Sequence, residues 1–429
     1  MRRTISLVIC IFLFIALYAV ARPDKEKSAS QSAQTLSDKK DDTASAYSPI
    51  NYDLPKAMWL SQYDMYEIYT YKNEQRDREE YTRMVSGVIS NLKQLGVNTV
   101  FIQLRPNGDS IYPSEIYPAS KYVVGEYGKE LSYDPFAIFL ELAHKSSISV
   151  HGWINPLRCM SVENMEKIAK KYTIKRWYLD SSNYYLREVG GYLYLDPAYT
   201  ETRELICSGI SEIIDKYDVD GIHIDDYFYP TVDENFDIKS FASENSQNLS
   251  LGDFRRQQIN ELVSAIYITV KEANPDLLFG VSPSGNMSRN YNELFADVEK
   301  WCTDDGYIDY LCPQIYFGFE HSSHPFDKVF SEFLSMTQKK NIKLIVGITL
   351  EKTHNAHNDI GDVWAGDGFA EWIDEKNIIK RSLEHIRVLD DTSGVALFSY
   401  RLLFDPVSGA QKDSTREEYE NFITVFKKM

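Results

Sequence analysis

The stretch VDGIHIDDYFYP, Val219 to Pro230, places two adjacent carboxylates directly after a short apolar run and before three aromatic residues. Neighbouring negative charges repel, so Asp225 and Asp226 cost stability unless protonation, hydrogen bonding or a ligand compensates. A short apolar run with alternate polar positions is typical of a strand, and this one ends at the acidic pair. The pair is therefore the first candidate for function in this chain.

Seven further segments have the same strand character, which makes eight strand candidates. They lie at residues 57–65, 99–106 and 148–156, and begin at residues 221, 277, 308, 343 and 394. Amphipathic segments typical of helices alternate with them. Those segments are Glu79–Leu95, Asp134–Lys145, Glu201–Tyr217, Asp253–Ala273 and Lys376–Leu389. This alternation over about 370 residues predicts an α/β fold, a (β/α)8 TIM barrel with long βα-loop insertions.

A doubly wound open sheet uses the same alternation of strands and helices and is the structural rival. That fold needs a glycine-rich phosphate loop after its first strand. The segment SQYDMYEIYTY, Ser61 to Tyr71, contains no glycine. The closed barrel is therefore favoured.

The composition excludes one class of partner and suggests another. The chain has 46 Lys and Arg against 63 Asp and Glu, a net charge of -17, which is the wrong sign for neutralising phosphates. Nucleic acid is therefore not expected as a partner. The 30 Tyr and 6 Trp residues suit ligands that are half apolar and polar at their edges, such as sugars.

The N-terminal residues have the features of an export signal. Arg2 and Arg3 precede an apolar run from Ile5 to Val20, and small residues follow up to Ala21. We expect residues 1–21 to be a signal peptide or a membrane anchor, and residues 22–50, which contain few large apolar side chains, to be a disordered linker. Residues 51–429 are expected to form the barrel domain.

The cysteines and the acidic residues do not match an established metal motif. Cys159, Cys207, Cys302 and Cys312 have no C-x-x-C spacing, so buried thiols are expected, with a Cys302–Cys312 bridge as the alternative. Oxygen-rich positions at His223, Asp196 and the acidic pair fit no calcium or zinc spacing. We expect neither a metal nor a cofactor.

Side chains along a barrel strand alternate between the interior and the helix layer, and catalytic groups collect at the carboxyl ends. Ile222 and Ile224 should face the helices, which leaves His223 and Asp225 inside, with Asp226 just past the strand end. The same rule selects Gln103, Arg105, His151, Trp153, Asn155, Gln314, Tyr316, Glu351 and Tyr400 on five other strands. These groups are expected to converge on one rim, although His151, Asn155 and Gln103 could instead satisfy one another in a buried network.

These residues resemble the glycosyl-hydrolase-like family 10 proteins, which are exported bacterial barrels. Besides VDGIHIDDYFYP, the resemblance rests on LKQLGVNTVFIQLRPNGDSIYPSEIYP, HGWINP, LDPA and CPQIYFG, and extends from about Ala57 to Arg401. It implies hydrolysis of a bacterial glycan, and some relatives cleave peptidoglycan strands stripped of their peptides. It also implies secretion or attachment to the outer face of the cytoplasmic membrane of a bacterium.

Glycosidic cleavage normally needs a carboxylic acid that protonates the leaving oxygen and a second group that attacks or activates water. Repulsion should raise the pKa of one aspartic acid and so retain its proton. Adjacent residues rarely reach opposite faces of a sugar ring, but this pair is similar to that of hexosaminidases that use the substrate's own acetamido group. That likeness implies that Asp225 orients the N-acetyl group, Asp226 donates the proton and Tyr316 contacts the amide. Glu351 is the competing second carboxylate.

Further substrate contacts are expected around the acidic pair. Arg105 and His223 are the first choices, followed by Asn155, Asp196, Gln314 and Tyr400. Four aromatic residues of the loops after strands two and seven could stack on pyranose rings or anchor those loops. They are Tyr112, Tyr117, Trp364 and Trp372. The polar segment 231–252 could close over the site as a lid.

The expected function is therefore that of a glycoside hydrolase acting on an N-acetylhexosamine-containing bacterial glycan, with peptidoglycan strands as the first candidate. The partner is a polysaccharide or oligosaccharide, and a membrane tether at the N-terminus is an option. The alternative is a catalytically inactive glycan-binding barrel at the cell surface. The sequence does not specify an oligomeric state.

Overall fold

Eight parallel strands close into a barrel in the computed structural model, which describes residues 47–429. We number them β1 to β8. They are Lys56–Leu60, Thr99–Arg105, Ser149–Ile154, Gly221–Ile224, Leu278–Val281, Tyr310–Leu311, Lys343–Thr349 and Gly394–Phe398. Each strand pairs with its neighbours in sequence, and β1 closes the barrel against β8. The predicted TIM barrel is confirmed.

Eight helices, α1 to α8, connect or follow the strands. They are Arg78–Leu95, Pro135–Lys145, Thr200–Lys216, Leu251–Ala273, Val298–Thr303, Phe326–Thr337, Ile378–Leu389 and Arg416–Lys428. The start of α1 is capped by Asp77, whose side chain accepts hydrogen bonds from two backbone N–H groups, and α1 ends at Gly96 in the left-handed conformation. The five predicted helices correspond to α1, α2, α3, α4 and α7.

The first strand is shorter than the sequence predicts. It ends at Leu60 because Ser61 starts a helix, Gln62–Tyr69, through a capping box. The Ser61 hydroxyl accepts from the N–H of Asp64 at 3.3 Å, and the Asp64 carboxylate accepts from the N–H of Ser61 at 2.8 Å. The predicted strand 57–65 is therefore wrong after residue 60.

Long loops at the carboxyl ends of the strands contain the remaining elements. Further helices are Lys121–Val124, Val162–Lys167, Thr173–Leu179, Ile238–Glu244, Met287–Asn292, Glu351–His357, Phe369–Asp374 and Tyr400–Leu403. One-turn 3-10 helices are Glu234–Phe236, Gly366–Gly368 and Asp413–Thr415. A three-stranded antiparallel sheet comprises Arg158–Ser161, Leu186–Val189 and Tyr192–Leu195, and a small hairpin pairs Thr70–Tyr71 with Glu74–Gln75.

The predicted alternation of side chains holds along the barrel strands. Ile222 and Ile224 belong to the hydrophobic layer between the strands and the helices. A second cluster fills the barrel interior and includes Trp59, Phe101 and Trp153. At these positions, interior and exterior faces are therefore assigned correctly by the period of two.

The chain that precedes β1 packs onto the amino-terminal end of the barrel. Buried Asp220 accepts hydrogen bonds there from the Tyr47 hydroxyl at 2.7 Å and from the Ile50 N–H at 2.6 Å. The compact unit begins at Tyr47, four residues before the domain start expected at residue 51. The expected leader and most of the expected linker lie outside the described residues. Within residues 47–429, no helix is both long and apolar enough to cross a membrane.

The four cysteines of the described chain are free thiols. Cys159, Cys302 and Cys312 are buried, and Cys207 is partly buried. The expectation of buried thiols therefore fits the structure, and the alternative Cys302–Cys312 bridge is not formed.

Candidate active site

A cavity of about 680 Å³ opens at the carboxyl ends of the strands and contains the acidic pair. Its volume is in the range of ligand pockets. Nine of the residues predicted from the sequence line it: Asp225, Asp226, Glu351, Gln103, Trp153, Asn155, Gln314, Tyr316 and Trp364. The polar strand ends thus converge on one rim, as alternation predicts.

Asp225 lies in the wall of the cavity, with 4% of its surface exposed. The indole N–H of Trp153 on β3 donates to its Oδ2 at 3.0 Å, and the N–H of Tyr227 donates to its Oδ1 at 3.2 Å. Burial raises the pKa of Asp225 well above its ordinary value, and the charge of Asp226 raises it further. Asp225 therefore has a fixed orientation and a strong tendency to hold a proton.

Asp226 is more accessible, with 18% of its side chain exposed. The Gln314 amide donates to its Oδ1 at 3.1 Å, and Arg289 Nη1 lies 3.5 Å from its Oδ2. Burial raises the pKa of Asp226, while Gln314 and Arg289 oppose that rise. Burial thus raises the pKa of both carboxyls, and hydrogen-bond donors oppose that rise at each of them.

The partners of the two carboxylates explain how adjacent acids fit into one loop. Trp153 approaches Asp225 from β3, whereas Gln314 follows β6 and reaches Asp226 from the other side of β4. Each carboxylate thus has its own donors, which compensate part of the repulsion. The two neighbouring carboxylates are therefore bound by donors from opposite sides of β4.

Glu351 lines the same cavity from the end of β7, as the first residue of the helix Glu351–His357. Its side chain is exposed, unlike those of the acidic pair. Tyr316 is near all three carboxylates: burial raises the pKa of Tyr316 well above its ordinary value, and the charges of the acidic pair and Glu351 add to the effect. Tyr316 therefore remains a neutral hydrogen-bond donor in the cavity.

Asn155 belongs to a polar chain that forms part of the cavity wall. The Gln103 amide donates to Asn155 Oδ1 at 3.0 Å, and Gln103 Oε1 accepts from the N–H of Gln62 at 3.0 Å. The side chains of Gln103 and Asn155 thus satisfy each other, as the buried-network alternative predicted, and still border the cavity.

Four predicted substrate contacts, Arg105, Tyr400, His223 and Asp196, lie outside the cavity lining, and these expectations are corrected. Arg105 is 2% exposed and donates to the carbonyls of Asn155 at 3.1 Å and Pro156 at 3.0 Å, so it anchors a loop. Tyr400 is fully buried, and its hydroxyl accepts from the Asn91 amide at 3.0 Å.

His223, the third, lies below the cavity floor with no exposed surface. Its Nε2 accepts from the Trp59 indole at 3.2 Å, and its Nδ1 is 2.9 Å from the Tyr310 hydroxyl. Burial lowers the pKa of His223 well below its ordinary value, so the ring is neutral. His223 positions Trp59, which does line the cavity.

His151 and Asp196 also lie outside the cavity lining, where they make hydrogen bonds within the protein. His151 shares the Tyr310 hydroxyl at 2.9 Å, and burial lowers its pKa to about 4. Burial raises the pKa of Asp196 to about 6, and its carboxylate accepts from the Ser240 hydroxyl at 2.6 Å. Ser240 belongs to the segment 231–252, which the sequence proposed as a lid. This bond joins that segment to the loop between the three-stranded sheet and α3.

Of the four loop aromatics, Trp364 alone lines the cavity, with 67% of its surface exposed. The Arg289 guanidinium lies 5.1 Å from the centre of a Trp364 ring. Tyr112, Tyr117 and Trp372 are buried and act as loop anchors, which was the alternative interpretation of these residues.

Several residues that line the cavity were not predicted from the sequence. They are Trp59, Tyr63, Arg158, Tyr194, Tyr227, Arg289, His321 and His324. Arg158 follows the HGWINP segment by two residues, and Arg289 lies in the loop after β5, a strand that contributed no candidate. The position of both arginines after the end of a barrel strand was the signal that could have identified them.

The positions of His223, Asp196 and the acidic pair do not support metal binding. In the part of the chain that the structure describes, no group of three or more His, Cys, Asp or Glu residues could hold a metal ion. His223 is engaged by Trp59 and Tyr310, and Asp196 by Ser240, so neither joins the acidic pair.

Comparisons with known proteins agree with this geometry. A family model described as Glycosyl hydrolase-like 10 matches residues 55–366. Glycosyl hydrolase DigH of Escherichia coli (strain K12) is 30% identical over 340 residues, which are 74% of this chain and 75% of DigH. Glycosyl hydrolase YngK of Bacillus subtilis (strain 168) is 30% identical over 303 residues, 65% of this chain and 56% of YngK, so the match spans little more than half of that relative.

Two solved structures share the barrel. The glycoside hydrolase domain of PgaB (BpsB) from Bordetella bronchiseptica has a TM-score of 0.53 at 10% identity, over 80% of this chain and 93% of that domain. The catalytic domain of β-amylase from Paenibacillus polymyxa has a TM-score of 0.52 at 10% identity, over 87% and 98%. At this identity they show the fold alone. The family and its named relatives support a glycosidase.

Proposed function

The chain belongs to the Glycosyl hydrolase-like 10 family, and from this premise we propose that it hydrolyses an N-acetylhexosamine-containing bacterial glycan, with peptidoglycan strands as the substrate. One observation carries the proposal. Two adjacent carboxyls with different partners and raised pKa values border a cavity large enough for sugar rings. The leader expected from the sequence at residues 1–21 adds export to the proposal, with action at or outside the cytoplasmic membrane.

In the proposed reaction, Asp226 protonates the leaving oxygen and the substrate acetamido group attacks the anomeric carbon, with Asp225 holding that group. The accessibility of the two residues supports this division, because Asp226 is exposed to the cavity while Asp225 is fixed by Trp153 and the N–H of Tyr227. We assign the contact with the acetamido carbonyl to Tyr316, which is a neutral donor in the same cavity.

Burial raises the pKa of Asp225 in the free protein, whereas its role in this reaction requires the charged form. An acetamido N–H that donates to Asp225 would stabilise its charged form and lower its pKa. The same proton then becomes more favourable on Asp226, where general acid catalysis requires it. Substrate binding would thereby set the protonation state for the reaction.

The proposal is tested by product analysis. Purified protein is incubated with peptide-free peptidoglycan and, separately, with chitin oligomers, and the products are identified by mass spectrometry. Asp226→Asn should lower turnover by roughly 10² to 10⁴-fold, the usual contribution of general acid catalysis, and retain glycan binding. Asp253→Asn, an exposed surface change on α4, is the matched control and should retain full turnover.

An inactive glycan-binding barrel gives a different result. It would bind the same glycans and release no product, in the original chain as well as in Asp226→Asn. That outcome, obtained with folded protein, would reject hydrolysis.

A further inference from the structure

The cavity contains an arginine that makes no ion pair with any residue of the described chain. Arg158 begins the first strand of the three-stranded sheet, next to the acidic pair in the cavity lining. Within residues 47–429, its guanidinium makes neither an ion pair nor a hydrogen bond, and its Nε is buried without a partner. A buried or half-buried cation without such partners is costly, so its retention calls for an explanation.

The other Lys and Arg side chains of the cavity lining differ from Arg158 in this respect. Arg289 lies 3.5 Å from a carboxylate oxygen of Asp226, and Lys352 lies 3.4 Å from one of Asp362. Both of these cations are therefore already compensated by the protein. Among the Lys and Arg residues that line this cavity in the described chain, Arg158 is the one without an ion pair, although Asp225 is near enough to attract it electrostatically.

Tyrosine rings surround Arg158 and hold its guanidinium in place. The guanidinium carbon lies 5.0 Å from the ring centre of Tyr227 and 5.7 Å from that of Tyr192. Tyr227 directly follows Asp226 in the sequence. The contact with Tyr227 therefore brings the Arg158 guanidinium close to the acidic pair. The planar fork of arginine matches a carboxylate with two parallel hydrogen bonds.

We infer that Arg158 is a specificity-determining residue that binds a carboxylate carried by the sugar, the free lactyl carboxylate of a muramic acid residue. This inference rests on the proposed function, since it names the feature of the glycan that the same cavity selects. A peptide attached to that lactyl group converts the carboxylate into an amide and removes the charge. Arg158 would thereby discriminate against strands that still carry peptides.

A purely structural role for Arg158 has different consequences. Stacking between tyrosine rings, or a positive potential near Asp225, would affect all glycans equally. Selectivity between a free carboxylate and its amide therefore separates the two roles. A uniform loss of binding across ligands would indicate the structural one.

Binding is measured by calorimetry on Asp226→Asn, so that the ligand is not consumed. The ligands are a peptide-free peptidoglycan tetrasaccharide and the same molecule with each carboxylate converted into a methylamide. The free acid should bind roughly 10- to 100-fold more tightly, as expected for charge-assisted hydrogen bonds. Equal affinity, or no binding of either ligand, overturns the inference, and this comparison needs no change at Arg158.

In the Asp226→Asn background, Arg158→Gln should abolish the preference for the free acid and leave the affinity for the methylamide within about twofold. Arg158→Lys in the same background should retain part of the preference. Arg256→Gln is the matched control, because its guanidinium also covers a tyrosine ring, that of Tyr291 at 4.0 Å, outside the cavity. A preference that survives Arg158→Gln overturns the assignment.

A tetrasaccharide of alternating N-acetylglucosamine and glucuronic acid tests the position of the carboxylate. Weaker binding of this ligand than of the free lactyl acid is expected. Equal or tighter binding would place the recognised carboxylate on the ring carbon and overturn the lactyl assignment. Because these are binding measurements, a preference for the acid without product formation would reject the proposed hydrolysis and leave the inference standing.

Discussion

Asp225 and Asp226 are neighbours in sequence, and the barrel gives them different environments. Asp225 is held by Trp153 in the cavity wall, whereas Asp226 is in reach of Gln314 and Arg289 and open to the cavity. Different surroundings are what allow one carboxyl to keep a proton while the other is charged. At the scale of single residues, the question is which carboxylate works with Asp226.

The roles of Asp225 and Glu351 can be separated by isosteric substitution. If Asp225 polarises the acetamido group, Asp225→Asn should lower kcat/KM by roughly 10²-fold or more, and Glu351→Gln by less than about tenfold. Steady-state kinetics on chitin oligomers and on their deacetylated counterparts provide the measurement. A larger loss in Glu351→Gln, or equal cleavage of the deacetylated oligomers, would assign the second role to Glu351.

At the scale of secondary structure elements, α8 is joined to α7 through a buried acid. Glu418 on α8 is 1% exposed, and its Oε1 accepts from the N–H of Ile379 in the first turn of α7 at 2.6 Å. Burial raises the pKa of Glu418 to about 7, against the lowering effect of these backbone donors. Its Oε2 is buried without a partner among residues 47–429, which favours the protonated form.

This shift makes stability depend on pH. The folded state binds the proton more tightly than the unfolded state, where the pKa is about 4.5, so stability is lost as pH rises from 4.5 through 7. Glu418→Gln cannot lose that proton. Its free energy of unfolding relative to the original chain should therefore increase by about 1 to 3 kcal/mol between pH 4.5 and pH 8.

Urea denaturation at both pH values measures the effect. The exposed neighbouring change Glu417→Gln is the control and should show a difference of less than about 0.5 kcal/mol. A difference for Glu418→Gln that does not change with pH would contradict the raised pKa.

At the scale of the whole molecule, the two ends of the barrel have separate tasks. Asp220 stabilises the amino-terminal end, where it also accepts from the N–H of Val150 at 2.6 Å and is 3.0 Å from His144 Nε2. Together with Tyr47 and Ile50, these contacts join the start of the domain to the barrel base. The cavity lies at the opposite, carboxyl end.

Asp220→Asn should therefore reduce stability and leave catalysis intact. The amide group replaces one acceptor oxygen by a donor, so at least one buried N–H loses its partner, at a cost of about 1 to 3 kcal/mol. Chemical denaturation measures the loss, and kcat/KM on the same preparation should be unchanged. The exposed Asp218→Asn is the control, and a fall in kcat/KM without loss of stability would contradict the separation of tasks.

The corrections at the site have identifiable physical reasons. Alternation predicts which face of the strand a side chain lies on but not how deep it lies in the barrel. His223 was therefore correctly assigned to the interior, but it lies beneath Trp59 and does not reach the cavity. The pairing of β2 with β3 shifts register between Gln103 and Arg105, which turns Arg105 away from the cavity. Tyr400 follows the end of β8 and begins a helix, so the period of two no longer applies to it.

By itself, the sequence determined the (β/α)8 barrel and the position of the acidic pair at its carboxyl end, because apolar periodicity is a local property of the chain. Only the tertiary structure decided which polar residues reach the cavity, how burial raises the pKa of both acids, and which cavity arginine forms no ion pair within residues 47–429. Those features depend on contacts between strands and loops far apart in sequence. Burial, which is the main cause of the raised pKa values, exists only once the barrel has closed.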